Sequence, residues 1–453
     1  ETAQYIATIQ SKYGWPKLTH IGTAKNHKTR VLDISKILRG STQPGGAVQS
    51  TNPNVLKEIK RTNLPVEELV EVARTAETDG ACSFSEVILC LPGDSKQAHF
   101  QSIVDTINAG FALIRTYQFL MLAGTEANTK EYRKKYDMET RFRIKPMNIG
   151  TYEFLGEAFS SVEIEEICVA NNTMSYDDYR DCRKLSLTVE IFNNNGIFYD
   201  IFKFLTLNGV SRSQFLMDIH DQALHSSRKF SNLYQEYTVE EDQNLWTSKQ
   251  ELIDFVNTDG TIERYLSGEL GINEIYKYRA TALLNYLDEM HGIVFNAAQS
   301  LINARSKLND LTKLYIQELK LFSMMRKFQV FDTDWHASDK FHFDFVKLVG
   351  NNFSTDPIST YSEQPVEMTT FHSPQQIDHI NGYKKQFGTS QVGLGRILNR
   401  AHIGSMYRNV RKSDGSSSFD AFSTKMDSEP SLPTDSPTES SMRSKASIVS
   451  STT

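Results

Sequence analysis

Long apolar runs are missing from this sequence. No stretch approaches the roughly 20 residues that a membrane-spanning helix requires, so no membrane span is expected. Cysteine is scarce, at 4 in 453 residues. Cys82 and Cys90 bracket one expected strand, Cys168 and Cys182 lie elsewhere, and no two are spaced C-x-x-C or C-x-x-x-C. Neither a disulfide framework nor an iron–sulfur loop is encoded, and the four read as buried structural thiols. Basic surplus is absent too: the formal charge is -6 and the pI near 6.0, which disfavours general nucleic-acid binding. There is no GxSxG elbow, no P-loop and no HExxH, so the commonest hydrolase and nucleotidase signatures do not compete. The opening ETAQYIATIQSKYGWP lacks the basic and apolar regions of a signal peptide, and a cytoplasmic protein is the simplest expectation.

What is present is a chain long enough for two or three domains, with 39% hydrophobic and 23% charged residues. Its organising stretch runs from Gly45 to Glu126. Strand starts are expected near residues 18, 47, 85 and 113, separated by helices, and this spacing favours parallel βα units over an antiparallel fold. Asn52-Pro53 reads as an N-cap followed by proline at the first helical position. The spacing also predicts helices over Leu64 to Thr78 and Lys96 to Asn108. Chemistry in such folds sits at the carboxyl ends of the strands. Those ends carry Thr23-Ala24-Lys25-Asn26, Gln49-Ser50, Leu91-Pro92-Gly93-Asp94 and Ala123-Gly124-Thr125-Glu126.

Past Tyr132 the pattern changes to a polar, aromatic excursion, followed by a helix or strand edge around SSVEIEEICV. From Ser175 to Lys327 the periodicity is helical. Leu301, Leu308, Tyr315 and Phe322 recur as a heptad on one long final helix, a face that other helices or a coiled-coil partner must cover. Phe341-His342-Phe343-Asp344-Phe345 alternates as a half-buried strand does. Residues 413–453 are rich in Ser, Thr and Pro, a composition too poor in apolar groups to offset the entropy of ordering. The expected fold class is therefore α/β, with residues 1–150 as half of a (β/α) barrel. A mainly helical domain follows over 151–328, a small α+β module over 329–412, and a disordered tail over 413–453.

The segments VQSTNPNVLKEIKR, SEVILCLPGDS and LMLAGTE resemble the second half of the catalytic barrel of radical SAM enzymes, in the branch that binds cobalamin. The family's CxxxCxxC loop lies upstream of the matching region, so the chain reads as a carboxyl-terminal portion whose partner is the upstream half of the same enzyme. The resemblance implies SAM and a [4Fe–4S] cluster as cofactors, with cobalamin, acting on a small-molecule or otherwise unknown substrate. It also implies reductive cleavage of SAM to a radical that abstracts hydrogen or works with cobalamin to transfer methyl. The alternative is a non-catalytic barrel piece or interaction subunit.

On that resemblance Gln49 and Ser50 reach the ribose and amino-acid part of SAM, Ile88 packs on the adenine, and Leu91, Met121 and Leu122 belong to the family's turns. Cys90 stands where the family usually has glycine, and Ala123 where it has proline. The structural readings are equally concrete. Ser50-Thr51-Asn52 caps a helix and Ile88 is core; Glu86, on the same strand face as Ile88, is a further cofactor-side candidate whose structural alternative is an ion pair with Arg61 or Arg115. Asp332, Asp334, His336, Asp339 and His342 match no metal template and are expected to be satisfied surface residues. Catalytic side chains and metal ligands are not identifiable from the sequence. The cysteine spacing predicts that this chain, reconstituted with iron and sulfide, holds no stable cluster; about four irons per chain with charge-transfer absorbance would contradict it.

Overall fold

The computed structural model describes residues 1–418 apart from 17–18, 20–27, 39–40, 43–44, 64, 79–82 and 402. Of the expected first strand only Thr19 is described, bridging Thr42 in parallel fashion; Thr23 to Asn26, Cys82 and residues 419–453 of the tail lie outside the described residues. The chain is mixed α/β and mostly helical.

Strands β1 (Phe84–Leu89) and β2 (Leu113–Gln118) pair in parallel, in register from Phe84 with Leu113 to Leu89 with Gln118. Residues 45–49 form a third parallel lane through bridges from Gly45 to Phe84 and from Gln49 to Val87. Two glycines allow this close approach. A Cβ at Gly45 would stand 2.4 Å from the Phe84 ring, and one at Gly46 would stand 2.8 Å from Leu69 and Phe111. The helices Pro53–Glu58, Val66–Thr78 and Lys96–Asn108 follow the expected positions. Asn52 Oδ1 accepts from the amides of Asn54 and Val55 at 2.9 and 3.3 Å, as the N-cap reading requires.

On one sheet face Val87 and Ile114 share a core with Ile103 and Ile107. Each such fully buried aliphatic side chain stabilises by about 1.5–3 kcal/mol. The other face carries Phe84, Glu86 and Ile88, half-buried, beside Arg115 and Tyr117, which are exposed. No closed barrel forms among the described residues, where the expected half-barrel is represented by an open parallel sheet of three lanes. Beyond β2 the neighbouring lane runs the other way, with Leu120 bridging Ile167 in antiparallel fashion.

That lane belongs to a long hairpin, β3 (Glu139–Phe154) and β4 (Glu157–Ala170), which replaces the expected polar excursion. Its turn places Leu155 at φ 52 and Gly156 at φ 82, and a two-residue connection with both φ positive matches the strand twist. Leucine is a poor residue for that position, so the turn carries no sequence signal.

The helical region opens with a capping box, Ser175 with Asp178, and runs through Tyr176–Thr188 into a π turn, Val189–Asn193. The single final helix expected from the heptad is two, Leu287–Ala304 and Asp310–Lys327. The break comes at Ser306, φ 55, and Asn309, whose side chain caps the second helix. The apolar face is covered from within. Tyr315 meets Phe204 and Phe343 at 4.8 and 5.0 Å, and Phe322 stacks on Phe345 at 4.2 Å.

Strands β5 (Ala337–Phe343), β6 (Tyr361–Phe371), β7 (Asn409–Lys412) and β8 (Ser417–Ser418) then form an antiparallel sheet. Phe341 and Phe343 face inward as the alternation predicts. Ser417 and Ser418, read as part of the tail, pair with Arg411 and Val410. Buried Arg408 donates to the carbonyls of Phe328, Gln329, Asp332 and Trp335 at 2.6 to 3.0 Å and so fixes the connection into β5. In that connection Asp332 Oδ1 accepts from the amides of Asp334 and Trp335, while His342 pairs with Glu318 at 2.7 Å. Among the described residues no three His, Cys, Asp or Glu could hold a metal, and no helix is long and apolar enough to cross a membrane.

Of the four histidines buried among the described residues, three are hydrogen-bonded within this interior. His220 bonds Thr188 at 2.6 Å, His291 bonds the Leu287 carbonyl at 2.8 Å, and His372 bonds the Met406 carbonyl at 2.9 Å. Burial pushes them down to about 4, about 3 and about 4. Each therefore takes a proton more readily in the unfolded chain, near pH 6.5, than in the folded one. The stability they contribute is present above pH 6.5 and lost as pH falls toward 4. Unfolding free energies from urea titrations at pH 7.5 and 5.0 should separate by about 2 kcal/mol less in His291→Asn than in the wild type; equal separation would refute the assignment.

Candidate functional site

The half-open sheet face is the floor of a cleft of about 590 Å³. Ile88, Arg115, Tyr117 and Leu122 line it from the sheet side, Arg143, Pro146 and Glu165 from the hairpin, and Arg183, Glu190, Asn273, Ile275 and Tyr276 from the helical region. The wall stands where it does because of one side chain. Asn194 accepts from the Ile114 amide and donates to the Ile114 carbonyl, both at 3.0 Å, so an amide takes the place of a neighbouring strand at the edge of β2. The π turn just before Asn194 then carries Glu190 over the sheet. Extra-wide turns of this kind recur at functional sites because they re-aim a side chain.

Charge in the cleft is mostly paired. Arg143 meets Glu165 at 3.1 Å, Arg183 meets Glu241 at 2.5 Å, and Glu190 meets Arg279 at 3.4 Å while accepting from Asn194 at 2.6 Å. Burial holds the Glu190 carboxyl above its ordinary pKa, against the opposing pull of Arg279. Burial likewise raises the Tyr117 and Tyr276 phenols.

The residues expected at the cofactor separate into two groups. Ile88 and Leu122 line the cleft, and Leu122 is 57% exposed. Glu86 lies on the same face beside Arg61, whose guanidinium donates to the Ala47 carbonyl, and opposite Arg115 in the register of β1 with β2. Gln49 ends the third lane, half-buried, in the left-handed region at φ 61. The others turn inward. Ser50 is buried, its hydroxyl 3.3 Å from that of Ser102 and accepting from the Asn52 amide at 3.2 Å. Leu91 and Met121 are core residues.

Cys90 adopts φ 67, the conformation glycine accepts freely, and its side chain points into the core, with Sγ 3.8 Å from that of Cys168. It does not stand over the cleft, so the extra side chain expected near a cofactor is absent there. The hydrogen bond to Cys168 and burial hold its thiol well above the usual range. Asn171, after β4, donates to the carbonyls of Leu91 and Cys90 at 3.0 and 3.4 Å, and Thr173 donates to that of Asp94. The helical contributors Glu190, Asn273 and Tyr276 had no sequence signal, because they converge from separate helical segments that carry no motif.

A parallel βα frame with its cleft at the sheet face accompanies a sequence likeness to cobalamin-dependent radical SAM methyltransferases, as the turns imply. Over 201 residues the chain is 29% identical to the 2-(S-pantetheinyl)-carbapenam-3-carboxylate methyltransferase of Streptantibioticus cattleyicolor. Over 202 residues it is 26% identical to the cobalamin-dependent radical SAM methyltransferase TokK of Streptomyces tokunonensis. Each match covers 43% of this chain and 28% of the relative, so the chain spans under a third of the length of the curated relatives it matches. No family model matches.

Removing Asn171 tests the support of the turn. Asn171→Ala leaves the buried Cys90 carbonyl without its donor and the Leu91 carbonyl with the Asp94 amide alone, and should cost about 1–2 kcal/mol in urea unfolding. Unchanged stability would show that the turn holds itself.

Proposed function

We propose that this chain is a portion of a cobalamin-dependent radical SAM methyltransferase that presents strand ends to SAM and encloses a small-molecule substrate against a helical wall. The observation that carries this reading is the coincidence of the sequence likeness with a cleft on a parallel βα sheet. In that reading the three lanes are a piece of the barrel wall.

Cofactor by cofactor, the residues differ in fit. The described cysteines, Cys90, Cys168 and Cys182, are buried, and no three metal ligands converge. They do not fit a [4Fe–4S] cluster, and its ligands are assigned to the upstream half of the same enzyme. Nothing in the described residues fits cobalamin specifically.

For SAM the strand ends do fit. Ile88 offers an apolar surface to a purine, and Gln49 offers an amide that can both donate to and accept from ribose hydroxyls. SAM, once bound and cleaved, supplies the radical that attacks substrate. The chain's own part is to orient and to exclude water. Ile88, Leu122, Pro146 and Ile275 provide apolar cover, while Tyr117 and Tyr276 offer hydroxyls to substrate.

The test is a SAM titration of the enzyme assembled with a cluster-bearing half. Gln49→Ala should weaken binding by about 1 to 3 kcal/mol, and Ile88→Asp by more, with circular dichroism confirming the fold. Ser50→Ala should instead cost about 1 kcal/mol of stability through its buried partners. Wild-type SAM affinity in both Gln49→Ala and Ile88→Asp would remove these strand ends from the cofactor site.

A further inference from the structure

Three arginines line the cleft, and they are not equivalent. Arg143 and Arg183 are each held by a carboxylate, Glu165 and Glu241. Both glutamates that line the cleft are also taken, Glu165 by Arg143 and Glu190 by Arg279. Among the described residues Arg115 has no carboxylate within the 4.0 Å of an ion pair. Of the charged side chains that line the cleft it is the one outside an ion pair, and Glu86, opposite it in register on the same face, does not come within that distance.

Its guanidinium is held ready, not loose. It rests on the face of the Phe84 ring, 5.1 Å from the centroid, with the Tyr117 phenol beside it on the same strand face. Phe84 is itself pinned by the glycine lane at Gly45. A guanidinium presents five donors in a planar fork, and most of them are uncommitted here. Around it stand Tyr117 and Tyr276, 45% and 38% exposed, with Ile88 and Ile275 as apolar cover.

Resting on the reading of this cleft as a substrate site, we propose that Arg115 is a specificity-determining residue that binds a carboxylate carried by a small, partly apolar substrate. An anion there supplies the ion pair that Arg115 lacks, and the planar fork suits a carboxylate's two oxygens. A neutral analogue forgoes the ion pair, and a cationic one meets repulsion. SAM carries a carboxylate of its own, so the same contact has a second possible source.

The experiment uses the full chain with three probes of one shape: benzoate, benzamide and benzylamine, followed by ligand-observed NMR. Benzoate should bind saturably, and Arg115→Gln should raise its Kd about ten-fold or more. Arg115→Lys should recover part of the loss, and benzamide and benzylamine should bind weakly to every variant. Arg115 is exposed, and circular dichroism checks that the variants fold. Unchanged benzoate binding in Arg115→Gln, or benzamide binding as well as benzoate, overturns the proposal. A SAM titration of the same variants identifies the source. Unchanged SAM affinity in Arg115→Gln assigns the anion to substrate, whereas a matching loss assigns it to SAM and overturns the substrate role. Arg115-dependent benzoate binding by a chain that never binds SAM would sink the cofactor reading and leave this one standing.

Discussion

A short parallel sheet cannot end in bare peptide groups, and the way this one is ended determines where the cleft lies. The outer edge of β2 is closed by two different devices. At Ile114 the side chain of Asn194 supplies both a donor and an acceptor. Further along, β4 takes over, with the Met121 amide donating to the Glu166 carbonyl and the Cys168 amide to that of Phe119. Each unpaired buried group would cost about 1–3 kcal/mol, so neither device is dispensable. Asn194 closes the edge from the end of a π turn, and the same turn brings Glu190 over the sheet. The hairpin that closes it further along also delivers Arg143 and Glu165. The cleft is thus a by-product of satisfying the edge.

Ion pairs around this cleft are placed for geometry more than for net stability. Arg183 and Glu241 are both almost fully buried, as are Lys327 and Asp200 in the helical core. Desolvating such pairs consumes most of their attraction, while losing one partner strands the other at a cost of about 3–5 kcal/mol. Their effect is to forbid alternative packings of the helices against the sheet. Arg183 also bonds no free group of the cleft, which leaves the polarity of the floor to Arg115 and the two tyrosines.

Legibility in the sequence followed how local each cause was. The parallel βα repeat, the Asn52 cap and the Lys96–Asn108 helix were readable because their determinants sit within a few residues of one another. So was the inward face of Phe341 and Phe343. The hairpin was not, since its outer end, residues 151–161, is exposed on both faces and its turn puts a leucine at positive φ. Nor was the break at Ser306, where an unbroken heptad overrides no rule that a sequence displays. For the site, Ile88 and Leu122 were placed by the family resemblance of their strand and turn, and Arg115 appeared only as a partner for Glu86. Glu190, Asn273 and Tyr276 were not placed, because folding alone brings them there.

Cys90 shows how a departure from a family pattern can be absorbed without moving the site. A non-glycine residue in the left-handed region costs about 1–2 kcal/mol, and here φ is 67. The fully buried side chain returns part of that by packing among Leu89, Met121, Ile167 and Cys168. Asn171 then fixes the carbonyls of Cys90 and Leu91 from the far side. Because the strain is met from the core, the backbone keeps the path that a glycine would give it, and the cleft side of β1 is left to Glu86 and Ile88. The substitution therefore bears on the stability of the turn and leaves the chemistry of the cleft to the opposite face of the strand.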